Sequence, residues 1–145
     1  MSIGLEFAFE AFVSVDEDLK IGPVSGGIRE ITPITGGTFE GPGMKGTVIP
    51  GGADWSMTRE DGVIEIDARY TLETDDGVLI YVINQGLVIE EPGDDTDYFR
   101  TTPTFEVSDR KYDWLNRSLF VCEIESVINE EQQFVGVAIK FYKVT

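Results

Sequence analysis

Val63-Ile64-Glu65-Ile66-Asp67-Ala68-Arg69-Tyr70-Thr71-Leu72 and Val78-Leu79-Ile80-Tyr81-Val82-Ile83-Asn84 flank the short segment Thr74-Asp75-Asp76-Gly77, and this stretch decides the fold. Both flanks are rich in β-branched and aromatic residues, and Asp-Gly between two such runs is a strong hairpin signal. A two-residue Asp76-Gly77 loop pairs Leu72 with Tyr81; a three-residue loop shifts that register by one. The first flank alternates, with Ile64, Ile66, Ala68, Tyr70 and Leu72 forming a core face and Val63, Glu65, Asp67, Arg69 and Thr71 the other. The second flank is apolar on both faces, which argues that both of its sides are at least partly covered.

The same extended pattern continues in both directions. From Gly4 to Val13, Leu5, Phe7 and Phe9 alternate with Glu6 and Glu10, which reads as a strand. Asp16-Glu17-Asp18 is a polar turn, and Leu19 to Val24 is a second extended stretch whose Pro23 suits an edge or a strand end. Between Gly26 and Gly52 lie nine glycines with Pro33, Pro42 and Pro50. A helix is excluded there, because interior Gly costs about 1 kcal/mol and Pro about 3 relative to Ala. Short, bent strands with bulges fit, and such kinks close a sheet into a barrel. Tyr98 to Val107 reads as a strand interrupted by Pro103. Ser108 to Leu115 reads as one short helix capped by Ser108 or Asp109. Ser118 to Ile128 and Phe134 to Val144 form a second hairpin around Asn129-Glu130-Glu131-Gln132. The expectation is a single all-β domain over residues 1–145: an antiparallel β-barrel of about ten strands with at most one short helix.

Composition narrows the functional classes. Twenty-seven acidic and 11 basic residues give a net charge of −16, a field that repels nucleic-acid phosphates and anionic membrane surfaces. There is no His and one cysteine, Cys122, inside the apolar run Leu119-Phe120-Val121-Cys122. A nucleophilic Cys–His pair, an ordinary zinc or iron site and an intrachain disulfide are therefore all excluded. The beginning MSIGLEFAFEAF has no basic segment and does not read as a signal peptide, and no apolar run approaches the roughly 18 residues of a membrane helix. A cytoplasmic, soluble protein without cofactor or metal is the expectation. Gly41-Pro42-Gly43-Met44-Lys45-Gly46 matches G-x-G-x-x-G, but Thr47-Val48-Ile49-Pro50 after it cannot form the helix a dinucleotide needs, so it reads as a bend between strands. Asp94, Asp95 and Asp97 lack the Gly and the terminal Glu of a calcium loop and read as a solvated turn.

Several short motifs together resemble a known family. They are Gly41-Pro42-Gly43 with Gly46, Pro50-Gly51-Gly52-Ala53-Asp54-Trp55, Asp67-Ala68-Arg69-Tyr70, Thr74-Asp75-Asp76-Gly77, Tyr98-Phe99-Arg100 with Pro103, and Tyr112-Asp113-Trp114-Leu115-Asn116. In this order they are similar to the bacterial and fungal family called domain of unknown function three-two-three-seven. The resemblance implies a single-domain β-barrel and supplies no reaction. It also implies that Asp54, Trp55, Asp67, Arg69, Arg100, Trp114 and Asn116 belong to the family's motif; the acidic Glu90–Asp97 loop lies outside it.

Two functional readings follow. In the first, a small organic ligand sits in the barrel mouth or lumen, for binding or for a simple lyase or isomerase reaction. The ligand-contacting candidates are Asp54, Trp55, Asp67, Arg69, Tyr81, Arg100, Trp114 and Asn116. Proton transfer falls to Asp54 or Asp67, with Tyr81 as an acid, and Arg69 or Arg100 holds a carboxylate or enolate oxygen. This reading expects Asp67 and Arg69 to point into the barrel. In the second, the chain is a non-catalytic interaction module, joined as a homo-oligomer through β edges or apolar faces. An Asp beside a hollow lumen favours the first; a lumen filled by Phe, Leu and Ile favours the second.

Overall fold

In a computed structural model, which describes residues 1–93 and 97–145, the chain forms nine strands among the described residues. They are β1 (Leu5–Val15), β2 (Leu19–Val24), β3 (Gly27–Glu40), β4 (Lys45–Thr58), β5 (Ile64–Thr74), β6 (Leu79–Ile89), β7 (Tyr98–Glu106), β8 (Phe120–Ile128) and β9 (Phe134–Val144). All neighbours run antiparallel in the order β1-β9-β8-β7-β6-β5-β4-β3, and β3 pairs back with β1 to close an eight-stranded barrel. The ninth strand, β2, is laid against the outside edge of β3. The count falls one short of ten because the Gly- and Pro-rich segment is built as two long bent strands, β3 and β4, rather than several short ones. Asp94 and Asp95 of the acidic loop lie outside the described residues.

Closure depends on backbones approaching where a side chain cannot fit. Gly37 in β3 has φ +139°, and a Cβ there would collide with the Phe12 carbonyl across the β1–β3 seam. In β4 the register with β5 jumps between Ile49↔Thr71 and Ala53↔Arg69, taking in the Pro50-Gly51-Gly52 bulge. Bulges of this kind bend a strand and sharpen its twist. A similar irregularity interrupts β1: its register with β9 shifts between Phe7 and Phe9. The simple alternation of Leu5, Phe7 and Phe9 is therefore broken. Phe9 is fully buried, while Leu5 and Phe7 face outward.

The central hairpin uses the longer loop. Leu72 pairs with Ile80, Thr74 N–H donates to the Val78 carbonyl, and Gly77 N–H donates to the Thr74 carbonyl with Gly77 at φ +86°. That is a turn closed by a left-handed glycine, the usual three-residue solution. Among the described residues the single helical piece is a 3₁₀ turn, Arg110–Leu115, whose N-cap Asp109 accepts from the Lys111 N–H.

The barrel interior is divided along its axis. One end is solid: Phe9, Phe39, Phe105, Phe120 and Phe141 pack with Leu72, Ile80, Tyr112 and Leu115, and Phe9 stacks on Phe141 at 4.1 Å between ring centroids. The 3₁₀ turn caps this end, with Trp114 against Phe120. The other end is hollow. Among the described residues no helix is long and apolar enough to cross a membrane.

Candidate functional site

The hollow half of the barrel is a cavity of about 260 Å³. Its wall is mostly aliphatic and aromatic: Val13, Val15 and Ile34 from β1 and β3, Ile64, Ile66 and Ala68 from β5, Val88 from β6, Phe99 from β7, and Ile124, Phe134, Val137 and Ile139 from β8 and β9. Into this apolar wall project Asp54, Tyr70 and Asn84, with Glu90 and Asp97 also among the lining residues. The described β7–β8 ladder is two pairs, Arg100↔Glu123 and Thr101↔Cys122, and beyond it Phe99, Ile124 and Ser126 line both the cavity and an outer groove. The cavity therefore reaches the surface where β7 and β8 part.

Strand register explains why the polar groups meet. Thr32 pairs with Asp54, Asp54 with Ala68, Ala68 with Asn84 and Asn84 with Pro103. Residues in one such row share a face of the sheet, here the inner one. Adjacent strands are about 4.8 Å apart, so the Asp54 and Asn84 backbones stand about 10 Å apart with only the Ala68 methyl between them. A small residue flanked by two polar ones makes a notch in the wall.

Asp54 is held in place by an opening in the β4–β5 ladder. The pairing passes Asp54↔Ala68 and resumes at Met57↔Glu65. In the gap the Asp67 N–H donates to Asp54 Oδ1 at 3.0 Å. Burial raises the Asp54 carboxyl from its ordinary 3.8 to about 6. The Asp67 N–H opposes that rise, the Asp67 carboxylate adds to it, and the Arg29 guanidinium, which donates to the Trp55 and Ser56 carbonyls, lowers it slightly. A carboxyl in this state carries or releases a proton near neutrality.

The other expected site residues do not converge with Asp54. Asp67 and Arg69 face outward, which corrects the expectation that they point into the barrel. Arg69 Nε donates to Asp67 Oδ1 at 3.3 Å, and the side chains are 45% and 35% exposed. A strand in a barrel has one inner face, and on β5 the apolar residues Ile64, Ile66, Ala68, Tyr70 and Leu72 occupy it. The two apolar faces of β6 do not require outside cover either, since Leu79 and Leu87 are exposed; single apolar residues on a surface are ordinary. Trp55 is 37% exposed and lines an outer groove with Arg29, Asp67 and Gln85. Tyr81 pairs with Thr71 on the same outer face, beside Arg69. Arg100 is exposed, its guanidinium 5.8 Å from the Tyr98 ring centroid. Trp114 and Asn116 belong to the capped, solid end. Asn116 clamps the chain there, donating to the Val107 carbonyl at 2.7 Å and accepting from the Val107 N–H at 3.0 Å.

Three inner polar residues were not among the sequence candidates: Tyr70, Asn84 and Thr101. Their Tyr70 Oη, Asn84 Oδ1 and Thr101 Oγ1 atoms are buried without a hydrogen-bond partner among the described residues. Cys122 is buried beside them, and burial pushes its thiol up to about 12. The available signal was Asn84 directly after the apolar run of residues 78–83, in the middle of β6, a residue type that strands disfavour.

Residues 3–144 match the model of the family described as protein of unknown function (DUF3237). The chain belongs to this DUF3237 family. Its curated relatives include a UPF0311 protein from Clostridium acetobutylicum, 37% identical over 97% of this chain and 93% of the relative. A UPF0311 protein from Rhodopseudomonas palustris is also 37% identical, over 80% of this chain and 84% of its own length. A fungal relative from Penicillium herquei, named hydroalkoxylation enzyme phnH, is 33% identical over 77% of this chain and 68% of its own length. Among solved DUF3237-like structures, a β-barrel-like protein from Acinetobacter baumannii superposes with TM-score 0.90 at 34% identity, covering 100% of this chain and 98% of that one. An enzyme from Penicillium herquei superposes with TM-score 0.77 at 26% identity, covering 100% and 96%.

Proposed function

We propose that this protein binds a small organic molecule in the hollow half of its barrel and carries out acid–base chemistry on it at Asp54, adding or removing an O–H group across a carbon–carbon double bond. The observation that carries the reading is a carboxyl with its pKa raised to about 6 on the wall of an apolar cavity. An ionised surface carboxylate cannot give a proton near pH 7; this one can, and it can take one back. In the forward direction the Asp54 carboxyl protonates one alkene carbon. The substrate hydroxyl oxygen bonds to the other carbon, and its proton returns to the Asp54 carboxylate. Atoms and charge balance without a cofactor. The fungal relative named as a hydroalkoxylation enzyme supports this class of reaction.

The test uses a phenol bearing an ortho trisubstituted alkenyl arm, which gives a stabilised cation on protonation. In deuterated buffer the parent should form the cyclic ether with one deuterium on the protonated carbon. Asp54→Asn should form it no faster than buffer. Equal rates for the two proteins overturn the assignment. A small organic ligand, a cytoplasmic setting and no nucleic-acid or membrane partner belong to the same reading.

A second reading is favoured by β2. This strand ends the sheet outside the closed barrel and exposes Leu19, Ile21 and Val24. An apolar edge of that kind suits an interaction module or a homo-oligomer. Sedimentation of the parent and a Leu19→Lys, Ile21→Lys variant tests it; a monomer at all concentrations rejects it.

A further inference from the structure

The cavity carries polar groups that the Asp54 reaction does not use. Asn84 and Tyr70 are 2% and 3% exposed, and both line the cavity. Tyr70 Oη and Asn84 Oδ1 have no hydrogen-bond partner among the described residues. A buried polar group left unpaired destabilises the fold, so each such pair of atoms in a native interior asks for a partner. Burial also raises the Tyr70 phenol, which keeps it a neutral donor. The strand row sets Asn84 across the Ala68 notch from Asp54.

Charge adds a second constraint. Asp54, Glu90 and Asp97 line the cavity, and among the described lining residues there is no Lys or Arg. Arg69 and Arg100, the candidates for holding an anion, lie outside. An anion entering this lumen would lose its hydration and meet carboxylates without a counter-charge.

We propose that the lumen selects an uncharged, largely apolar ligand whose hydroxyl or carbonyl oxygen hydrogen-bonds the Asn84 carboxamide, with the rest of the molecule lying over Ala68 towards Asp54, and that it excludes carboxylates and phosphates. This rests on the lumen reading above and names its substrate class. The size agrees: an apolar cavity of about 150 Å³ holds one benzene, so 260 Å³ suits a fused bicyclic or a ring with a short arm.

The experiment measures the binding of 1-naphthol, naphthalene and 1-naphthoate to the full chain by probe fluorescence, in high salt so that the overall charge of −16 is screened. The parent should bind 1-naphthol about tenfold more tightly than naphthalene, the value of one or two good hydrogen bonds. It should show no naphthoate binding at a hundredfold higher probe concentration. Asn84→Leu should keep naphthalene binding and bring the naphthol-to-naphthalene ratio close to one. That variant should stay folded, since an apolar residue of similar shape replaces a carboxamide whose Oδ1 is unpaired; its melting curve is compared with the parent's because the carboxamide also lies against Tyr70 and Cys122. Equal affinity of the parent for naphthol and naphthalene, naphthoate binding comparable to naphthol, or an unchanged ratio in Asn84→Leu overturns the inference. Each of these leaves the Asp54 chemistry to its own deuterium test. Binding of none of the three probes overturns both.

Discussion

Replacing Asp54 by Asn should make the protein more stable at neutral pH, and the gain should vanish on acidification. Asn keeps an Oδ1 acceptor for the Asp67 N–H, so the hydrogen bond across the open ladder survives while the charge is lost. The folded pKa is raised from 3.8 to about 6, a shift of about two units. At 1.36 kcal/mol per unit, holding the ionised form in the cavity costs about 3 kcal/mol. The open mouth still admits water to the carboxyl, which brings the expected figure to about 1–3 kcal/mol. The sign follows from proton counting. Between about pH 4 and about pH 6 the folded state binds a proton that the unfolded state has released. The contribution of Asp54 is therefore fully present below about pH 4, falls as pH rises through about 6, and is flat beyond. Urea denaturation of parent and variant at matched pH values isolates it, because the other acidic groups titrate alike in both and cancel in the difference. The variant should match the parent near pH 4 and exceed it by about 1–3 kcal/mol near pH 8. A difference that does not change with pH, or a variant less stable at pH 8 than at pH 4 relative to the parent, refutes the buried-carboxyl argument.

Other consequences can be read in the same way. Asp67→Asn, Arg69→Gln and the double variant should each stay within about 1 kcal/mol of the parent in urea, as expected for a surface pair; a loss of 3 kcal/mol in either single variant would return the pair to the interior. Phe9→Ala should lose about 3–5 kcal/mol with an unchanged m-value, because Phe9 is fully buried and stacked on Phe141; a loss below about 1 kcal/mol means that the aromatic end is not packed as described. Cys122 should resist a disulfide reagent in the folded protein and react only on unfolding, since its thiol is buried with a pKa pushed up to about 12. Reaction at the rate of a free thiol under native conditions contradicts that burial.

Much of the fold was legible because the barrel is built from local rules. The Asp-Gly turn, the alternation along β5 and the glycine-rich bends each report a nearby backbone preference. The one-residue uncertainty at Asp76-Gly77 was resolved by Asp76, which stays out of the left-handed region that a two-residue turn would demand; Gly77 alone takes it, and the longer loop pairs Leu72 with Ile80. The break in β1 was not legible. A bulge between Phe7 and Phe9 is set by the register with β9, more than a hundred residues away, and leaves no mark on the alternation itself.

The site was harder to read, because a closed barrel reverses the usual meaning of polarity along a strand. On β5 the charged residues Asp67 and Arg69 attract attention as chemistry, yet their regular alternation with apolar neighbours is what places them outside. The functional signal is the opposite pattern: a single polar residue on the apolar face. Asn84 fits it on β6, Asp54 stands with Thr32 and Ser56 as a polar corner of a mostly apolar wall, and Ala68 between Asp54 and Asn84 is the small member that leaves room. That row exists only once β4, β5 and β6 are in register, since Asp54 and Asn84 are thirty residues apart in sequence. The bulge at Pro50-Gly51-Gly52 matters to the same end. Its two extra residues keep the alternation of β4 in step with β5, so that Val48 and Asp54 both line the interior while Trp55 turns out to the surface. Deleting one of its two glycines would leave an odd number of steps between Val48 and Asp54; with Val48 held in the core, alternation then exchanges the places of Asp54 and Trp55, and a barrel so altered should lose the pH-dependent difference that Asp54→Asn reveals in the parent.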